Sequence, residues 1–228
     1  TEAAHALTGS KTPVFGLIAT MTTHSAILSH DEASTIASWA RFVILGLQAQ
    51  GVDINNLLRE AGLPQSQLVN PNQRIDVSQM TQLWQAASRL TGDPCFTLRL
   101  ADHAQADMFS GFGLAIVFSD TIGDAIRKTC RYSTVASSAA NLEAAPGAND
   151  TLEVIFRLHT PVAGEALEAF MACGGRILKQ ISQRRFKPAQ VHFCHDKSKY
   201  QERFEEFFEA PVFFNASVYK FVLDKETL

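Results

Sequence analysis

An α+β fold is predicted by two apolar periodicities and by their order along the chain. Between about residues 33 and 135 the apolar side chains recur three and four apart, the spacing that gathers them on one face of an α-helix. From about residue 137 they alternate instead, as Leu152, Val154, Phe156 and Leu158 do, which is the pattern of a strand with one buried face. Helices first, then a mixed half, argue for a helical N-terminal half packed with a small, mainly antiparallel sheet and further helices in the C-terminal half. With 228 residues, 46% of them hydrophobic, the chain can bury a sizeable core. We read one domain over residues 29–228, preceded by a flexible arm over residues 1–28, where Thr, Ala and Ser follow no sustained period.

The elements follow in order. Ser29 with Glu32 has the form of a capping box, and Ile36, Ala40, Val43, Ile44 and Leu47 then share a helix face until Gly51. Asp53 can cap a short helix through Ala61, with Gly62 where a left-handed residue is wanted and Pro64 blocking continuation. Asp76 opens a third helix with Val77, Met80, Leu83, Trp84 and Ala87 on its buried side, ended by Thr91-Gly92-Asp93-Pro94. Helices continue through Tyr132. Ser119 or Asp120 can cap the one bearing Ile122, Ala125, Ile126 and Cys130, whose other face shows Arg127, Lys128 and Arg131. Pro146 to Asp150 reads as a hairpin turn between strands near 142–145 and 152–158. A long helix spans about 162–181, with Leu167, Phe170, Met171, Gly174, Ile177, Leu178 and Ile181 at helical spacing. A strand at 190–194, an aromatic helix at 199–208 and strands at 212–214 and 220–223 complete the pattern.

Composition excludes several classes of function. A formal net charge of −3 leaves no overall electrostatic footprint for nucleic acid, so DNA binding by these residues alone is not expected. The four cysteines, Cys95, Cys130, Cys173 and Cys194, form no CxxC pair, which argues against a zinc ribbon or disulfide scaffold and for a reducing, cytoplasmic setting. The apolar run from Val14 to Ile18 is too short to span a bilayer and lacks the flanks of a signal peptide, so no membrane partner is expected.

Three segments in sequence, GVDINNLLREAGLP (51–64), RIDVSQMTQLWQAASRLTGDP (74–94) and FSDTIGDAIRKTCRY (118–132), together with the tail VHFCHDKSKYQERFEEFFEAPVFFNASVYKFVLDKETL (191–228), carry a resemblance. The chain from about Ala33 onward is similar to the N-terminal, arabinose-binding-like effector and dimerisation domain of AraC-type bacterial transcription regulators. No single motif is diagnostic; order and spacing carry the likeness. The resemblance implies a homodimer, a small-molecule effector or a regulatory protein as partner, and DNA contact only through a C-terminal pair of helix-turn-helix motifs beyond Leu228. The family's founder senses sugar in a jelly-roll β-barrel, which the long amphipathic helices before residue 135 cannot form. Sugar binding is therefore not inherited, because function lives in the site.

Several residues invite a chemical reading. His192, Cys194 and His195 are ordinary zinc or iron ligands, yet strand alternation puts His192 and Cys194 on one face and His195 on the other, so a buried structural strand is preferred and no metal is expected. His103 or His159 could ligate haem, but a single histidine is no signature and no cofactor is expected. Ser110, His103 and Asp107 could be drawn as a triad, but Gly111-Phe112-Gly113 supplies no nucleophile elbow, so no catalytic residue and no enzyme is expected. Phe109 and Phe112, among closely spaced glycines, have the make-up of a small-ligand pocket wall or of a helix crossing. Arg99, Arg127, Arg131 and Tyr132 could recognise a carboxylate or phosphate, or could simply form a solvated face. On the first alternative, Arg131→Glu would blunt the ligand response without unfolding the domain. Arg184-Arg185-Phe186-Lys187 suits the negative end of a helix dipole, and Phe204, Phe207, Phe208, Phe213 and Phe214 are read as core.

The sequence therefore predicts the effector-sensing, self-associating domain of an AraC-type transcription factor, with exposed faces of the helices at 33–50 and 162–181 among the candidate dimer surfaces. The alternative is a stand-alone small-molecule sensor or carrier domain without DNA binding.

Overall fold

The computed structural model describes residues 33–105, 108, 111–182 and 186–227, without the side chains of Phe112 and Lys225. The expected arm over 1–28 and the Ser29–Glu32 capping box lie outside them. Within them the order is β1 (Ser34–Ile36), α1 (Ala37–Ala49), α2 (Ile54–Glu60), β2 (Arg74–Asp76), α3 (Val77–Thr91), α4 (Phe96–Leu100), α5 (Gly111–Val117) and α6 (Ile122–Ala136). There follow β3 (Ala140–Pro146), β4 (Thr151–Leu158), α7 (Gly164–Ile181), β5 (Gln190–His192), α8 (Gln201–Phe208), β6 (Val212–Phe213) and β7 (Tyr219–Asp224), with short 3₁₀ turns between several elements. The class is α+β, as the two periodicities predict.

Local chemistry sets the helix ends. Asp53 accepts the backbone N–H groups of Asn55 and Asn56 at 2.9 and 3.3 Å, capping α2. Thr121, rather than Ser119 or Asp120, caps α6, because its hydroxyl is the one that reaches the Asp124 N–H at 3.0 Å. Gly92 ends α3 at φ +58°, the left-handed conformation in which a side chain would be strained.

The start of the first helix differs from the sequence reading. Ser34–Ile36 is a strand, paired antiparallel with β2 through Thr35 opposite Ile75. The β-branched Thr35 and Ile36 suit an extended chain that has partners on both sides. On its other edge Thr35 bridges to Ser137, and its hydroxyl donates to the Ala136 carbonyl at 2.9 Å. Arg74 fastens the same corner, donating to the Ser34 carbonyl at 2.6 Å and to the Val135 carbonyl at 2.8 Å.

The larger sheet runs β3-β4-β7-β5-β6, antiparallel throughout except for the short parallel pair β5–β6. Its first hairpin turns at Asn149 and Asp150, whose φ of 53° and 61° are the two successive positive values that a primed turn requires. Aromatic rings tie the sheet to the helices over it. Phe156 of β4 meets Phe170 of α7 edge to face at 5.9 Å, and Phe221 of β7 meets Phe208 of α8 at the same centroid distance. The core continues without a break into the helical layer through Trp39, Leu47, Leu57, Leu83, Trp84 and Phe96. Each fully buried large side chain of this kind contributes about 1.5–3 kcal/mol relative to exposure.

Candidate functional site

The seam between the helical layer and the sheet is incompletely filled. A cavity of about 90 Å³ lies there, walled by Trp39 of α1, Met80 and Trp84 of α3, Leu142 of β3, Phe156 of β4 and Phe170 of α7. Four hydroxyl-bearing residues line it, Thr35, Thr81, Ser133 and Ser137. Among the described residues no ionisable side chain lines it. Two of the hydroxyls are already committed as donors: Thr35 to the Ala136 carbonyl at 2.9 Å and Ser133 weakly to the Cys130 carbonyl at 3.4 Å. Ser137 accepts the Ala139 N–H at 3.2 Å, which leaves its proton for something else. Trp39 and Trp84 are both of the protein's tryptophans.

A second cavity, of about 60 Å³, lies further along the inner face of α7. Leu142, Phe156 and Phe170 line both spaces, so these three side chains form the partition between them. The far walls are Ile126 of α6, Ile177 of α7 and Phe221 of β7, and Gly174 opens onto the space with no heavy atom within 4 Å of where a Cβ would stand. Apolar walls with a few hydroxyls at one end have the make-up of a small-molecule site.

A buried polar cluster stands on the other side of α7. Glu168 has no exposed surface. Its carboxylate accepts from His195 Nε2 at 2.7 Å, Lys197 Nζ at 2.7 Å and Thr97 Oγ1 at 2.7 Å. A carboxylate only accepts, so His195 carries its proton on Nε2, and in the neutral ring Nδ1 receives the Tyr219 hydroxyl at 3.2 Å. Burial works to raise the Glu168 carboxyl, but the His195 hydrogen bond, the Lys197 charge and hydrogen bond, and Thr97 outweigh it and hold it below the usual range. Burial pushes the Tyr219 hydroxyl up to about 12. The cluster ties α4, α7 and the segment after β5 together.

The residues singled out in the sequence fall in different places. Arg127, Arg131 and Tyr132 share the exposed face of α6; Arg127 pairs with Asp124 at 3.4 Å, and the Arg131 guanidinium lies 5.5 Å from the Tyr132 ring centre. Arg99, on α4, pairs with Asp93 and donates to Gln50 at 3.0 Å. None of these four lines either cavity. Phe112 is in α5; Phe109, Ser110 and Asp107 lie outside the described residues, as do Arg184 and Arg185. His103 and His159 are exposed. His192 stacks on Phe213 at 4.9 Å, while His195 turns inward because the strand has ended at His192, so alternation no longer governs it. Phe204 and Phe208 are buried, Phe207 and Phe214 pack against the core, and Phe213 is exposed. The four cysteines are free thiols, and no helix among the described residues is long and apolar enough to cross a membrane.

The cavity walls were visible in the sequence only as core. Met80, Trp84 and Phe170 stand at helical spacing, and a residue that borders a void has the same periodicity as one that fills it. Glu168 was missed altogether, and the one available signal was a carboxylate on the apolar face of α7.

Comparison with known proteins places this geometry. In fold, the chain is similar to the transcriptional regulator CdpR from Pseudomonas aeruginosa, with a TM-score of 0.54 at 17% identity over 82% of this chain. It spans 56% of that protein's length. No curated protein matches the chain significantly. Residues 51–228 match the family described as the arabinose-binding domain of AraC transcription regulators, N-terminal. That match takes in both cavities apart from the contributions of Thr35 and Trp39, and the chain belongs to this family of AraC-type regulatory domains.

Proposed function

We propose that this domain is the sensing and self-associating part of an AraC-type DNA-binding transcription factor, and that its effector enters the cavity between the helical layer and the sheet. The observation that carries the reading is the cavity itself, in a member of a regulator family. Its walls come from β1, α1, α3, α6, α7, β3 and β4, so an occupant contacts most of the elements that hold the two layers together. A ligand shifts a conformational equilibrium only by its differential affinity for the two states, and a seam between layers is where such a difference arises. Association is supported by apolar surface on neighbouring elements: Leu114 of α5, Phe118 just after it, and Tyr132 and Val135 of α6 are all exposed.

The test uses the two tryptophans in the wall. Titration with butan-1-ol is expected to change Trp39 and Trp84 emission saturably, and Ala166→Phe, which fills the cavity from α7, is expected to abolish the change. An emission that drifts without saturating, or a response untouched by Ala166→Phe in a folded protein, would remove the cavity as the effector site.

A further inference from the structure

The two cavities lie end to end along α7 and differ in polarity. Four hydroxyl-bearing residues, Thr35, Thr81, Ser133 and Ser137, line the first. Among the described residues lining the second, Thr129 alone carries a hydroxyl, and it donates within its own helix to the Ala125 carbonyl at 2.8 Å. The first, at about 90 Å³, is smaller than the ~150 Å³ that accommodates benzene, so alone it holds only a few heavy atoms. The partition of Leu142, Phe156 and Phe170 is made of side chains rather than backbone, and rotation of such side chains about their torsions would join the two spaces. A charged head group would find no counter-ion among the described lining residues and would be buried uncompensated.

We propose that the site takes a neutral, unbranched aliphatic molecule with one hydrogen-bonding group, its polar end at the hydroxyls of the first cavity and its chain passing the partition into the second. This rests on the reading of the first cavity as the effector site. Ser137 and Thr81 there have no acceptor for their hydroxyl protons among the described residues, and the tail meets Ile126, Ile177, Phe221 and their neighbours. The ring of Phe170 stands edge to face with Trp39, its centroid 6.1 Å away, so a displaced partition alters the surroundings of a tryptophan.

The test is a chain-length series of butan-1-ol, hexan-1-ol, octan-1-ol and decan-1-ol, with sodium octanoate as the charged counterpart, read by tryptophan emission on the wild-type chain and on Gly174→Leu. Gly174 faces open space in the second cavity, so the leucine fills that cavity and leaves the first intact. Affinity in the wild type is expected to rise about fourfold per methylene from butanol to octanol. In Gly174→Leu butanol should bind as before and the rise should stop by hexanol, and octanoate should bind at least tenfold more weakly than octanol. Gly174→Val gives the same comparison should the leucine variant not fold. Affinity that levels off at butanol in the wild type, a chain-length profile unchanged by either substitution, or octanoate binding as tightly as octanol would each overturn the proposal while leaving the first cavity as effector site. Saturable binding by none of the alcohols would overturn both.

Discussion

Trp39 on α1 and Phe170 on α7 meet edge to face with centroids 6.1 Å apart, and both border the first cavity. Phe170 continues the contact to Phe156 of β4, so one ring links the helical layer to the sheet at the place where the seam is least filled. Removing it enlarges a space that already exists. Phe170→Ala is expected to cost about 3 kcal/mol in a urea unfolding curve, at the lower end for Phe→Ala because the ring is only partly buried. Emission of Trp39 should shift to the red as water gains access. An unchanged midpoint would mean that the surrounding side chains collapse into the gap.

Glu168 predicts the response to acid. Its carboxyl is held below the ordinary range when folded, so its contribution is fully present above the unfolded value of about 4.3 and is lost as pH falls through the folded value. Thermal unfolding should therefore show a steep loss of stability below about pH 4. Glu168→Gln should remove much of that slope and destabilise the domain by about 3 kcal/mol at pH 7, because it leaves the partly buried Lys197 opposite a neutral amide. A variant with wild-type acid dependence would shift the acid response to other carboxylates.

Two helical glycines should respond oppositely to the same substitution. At Gly46 in α1 a Cβ would stand 2.6 Å from Leu100 Cδ2, and Leu100 is itself fully buried, so Gly46→Ala is expected to cost about 1–2 kcal/mol. At Gly174 a Cβ meets nothing, and Gly174→Ala should stabilise the domain by about 0.5–1 kcal/mol through helix propensity. Chemical denaturation of the two variants checks both signs.

Arg131→Glu separates the outer face of α6 from the cavity as the place of ligand contact. Arg131 is exposed and leans on the Tyr132 ring. Its replacement is expected to leave the unfolding free energy within about 0.5 kcal/mol and butan-1-ol affinity unchanged. A loss of affinity in the folded variant would transfer the site to Arg127, Arg131 and Tyr132.

The helices and hairpin were legible because each carries its own punctuation. Asp53, Gly62, Gly92 and the Asn149-Asp150 turn act over a few residues and sit where the sequence places them. β1 was not legible: Thr35 is extended because of Ile75 and Ser137, and neither partner is visible from its neighbours in sequence. The cap of α6 went to Thr121 over two equally suitable residues, since the choice depends on the angle at which the chain enters the helix. The cavity was illegible for a different reason. A void is a deficit of packing volume among distant elements, and periodicity reports only which faces turn inward.

The pairing of Thr35 with Ser137 has a bearing on synthesis. The second edge of β1 finds its backbone partner about a hundred residues later, and Ser138 N–H then donates to the Ser34 carbonyl at 2.9 Å. A nascent chain leaving the ribosome can form α1 to α5 early, yet the corner that fastens them stays open until residue 138 has emerged. The corner of the helical half thus closes only once the segment after α6 is made, and a fragment ending before it would leave that edge of β1 without its backbone partner.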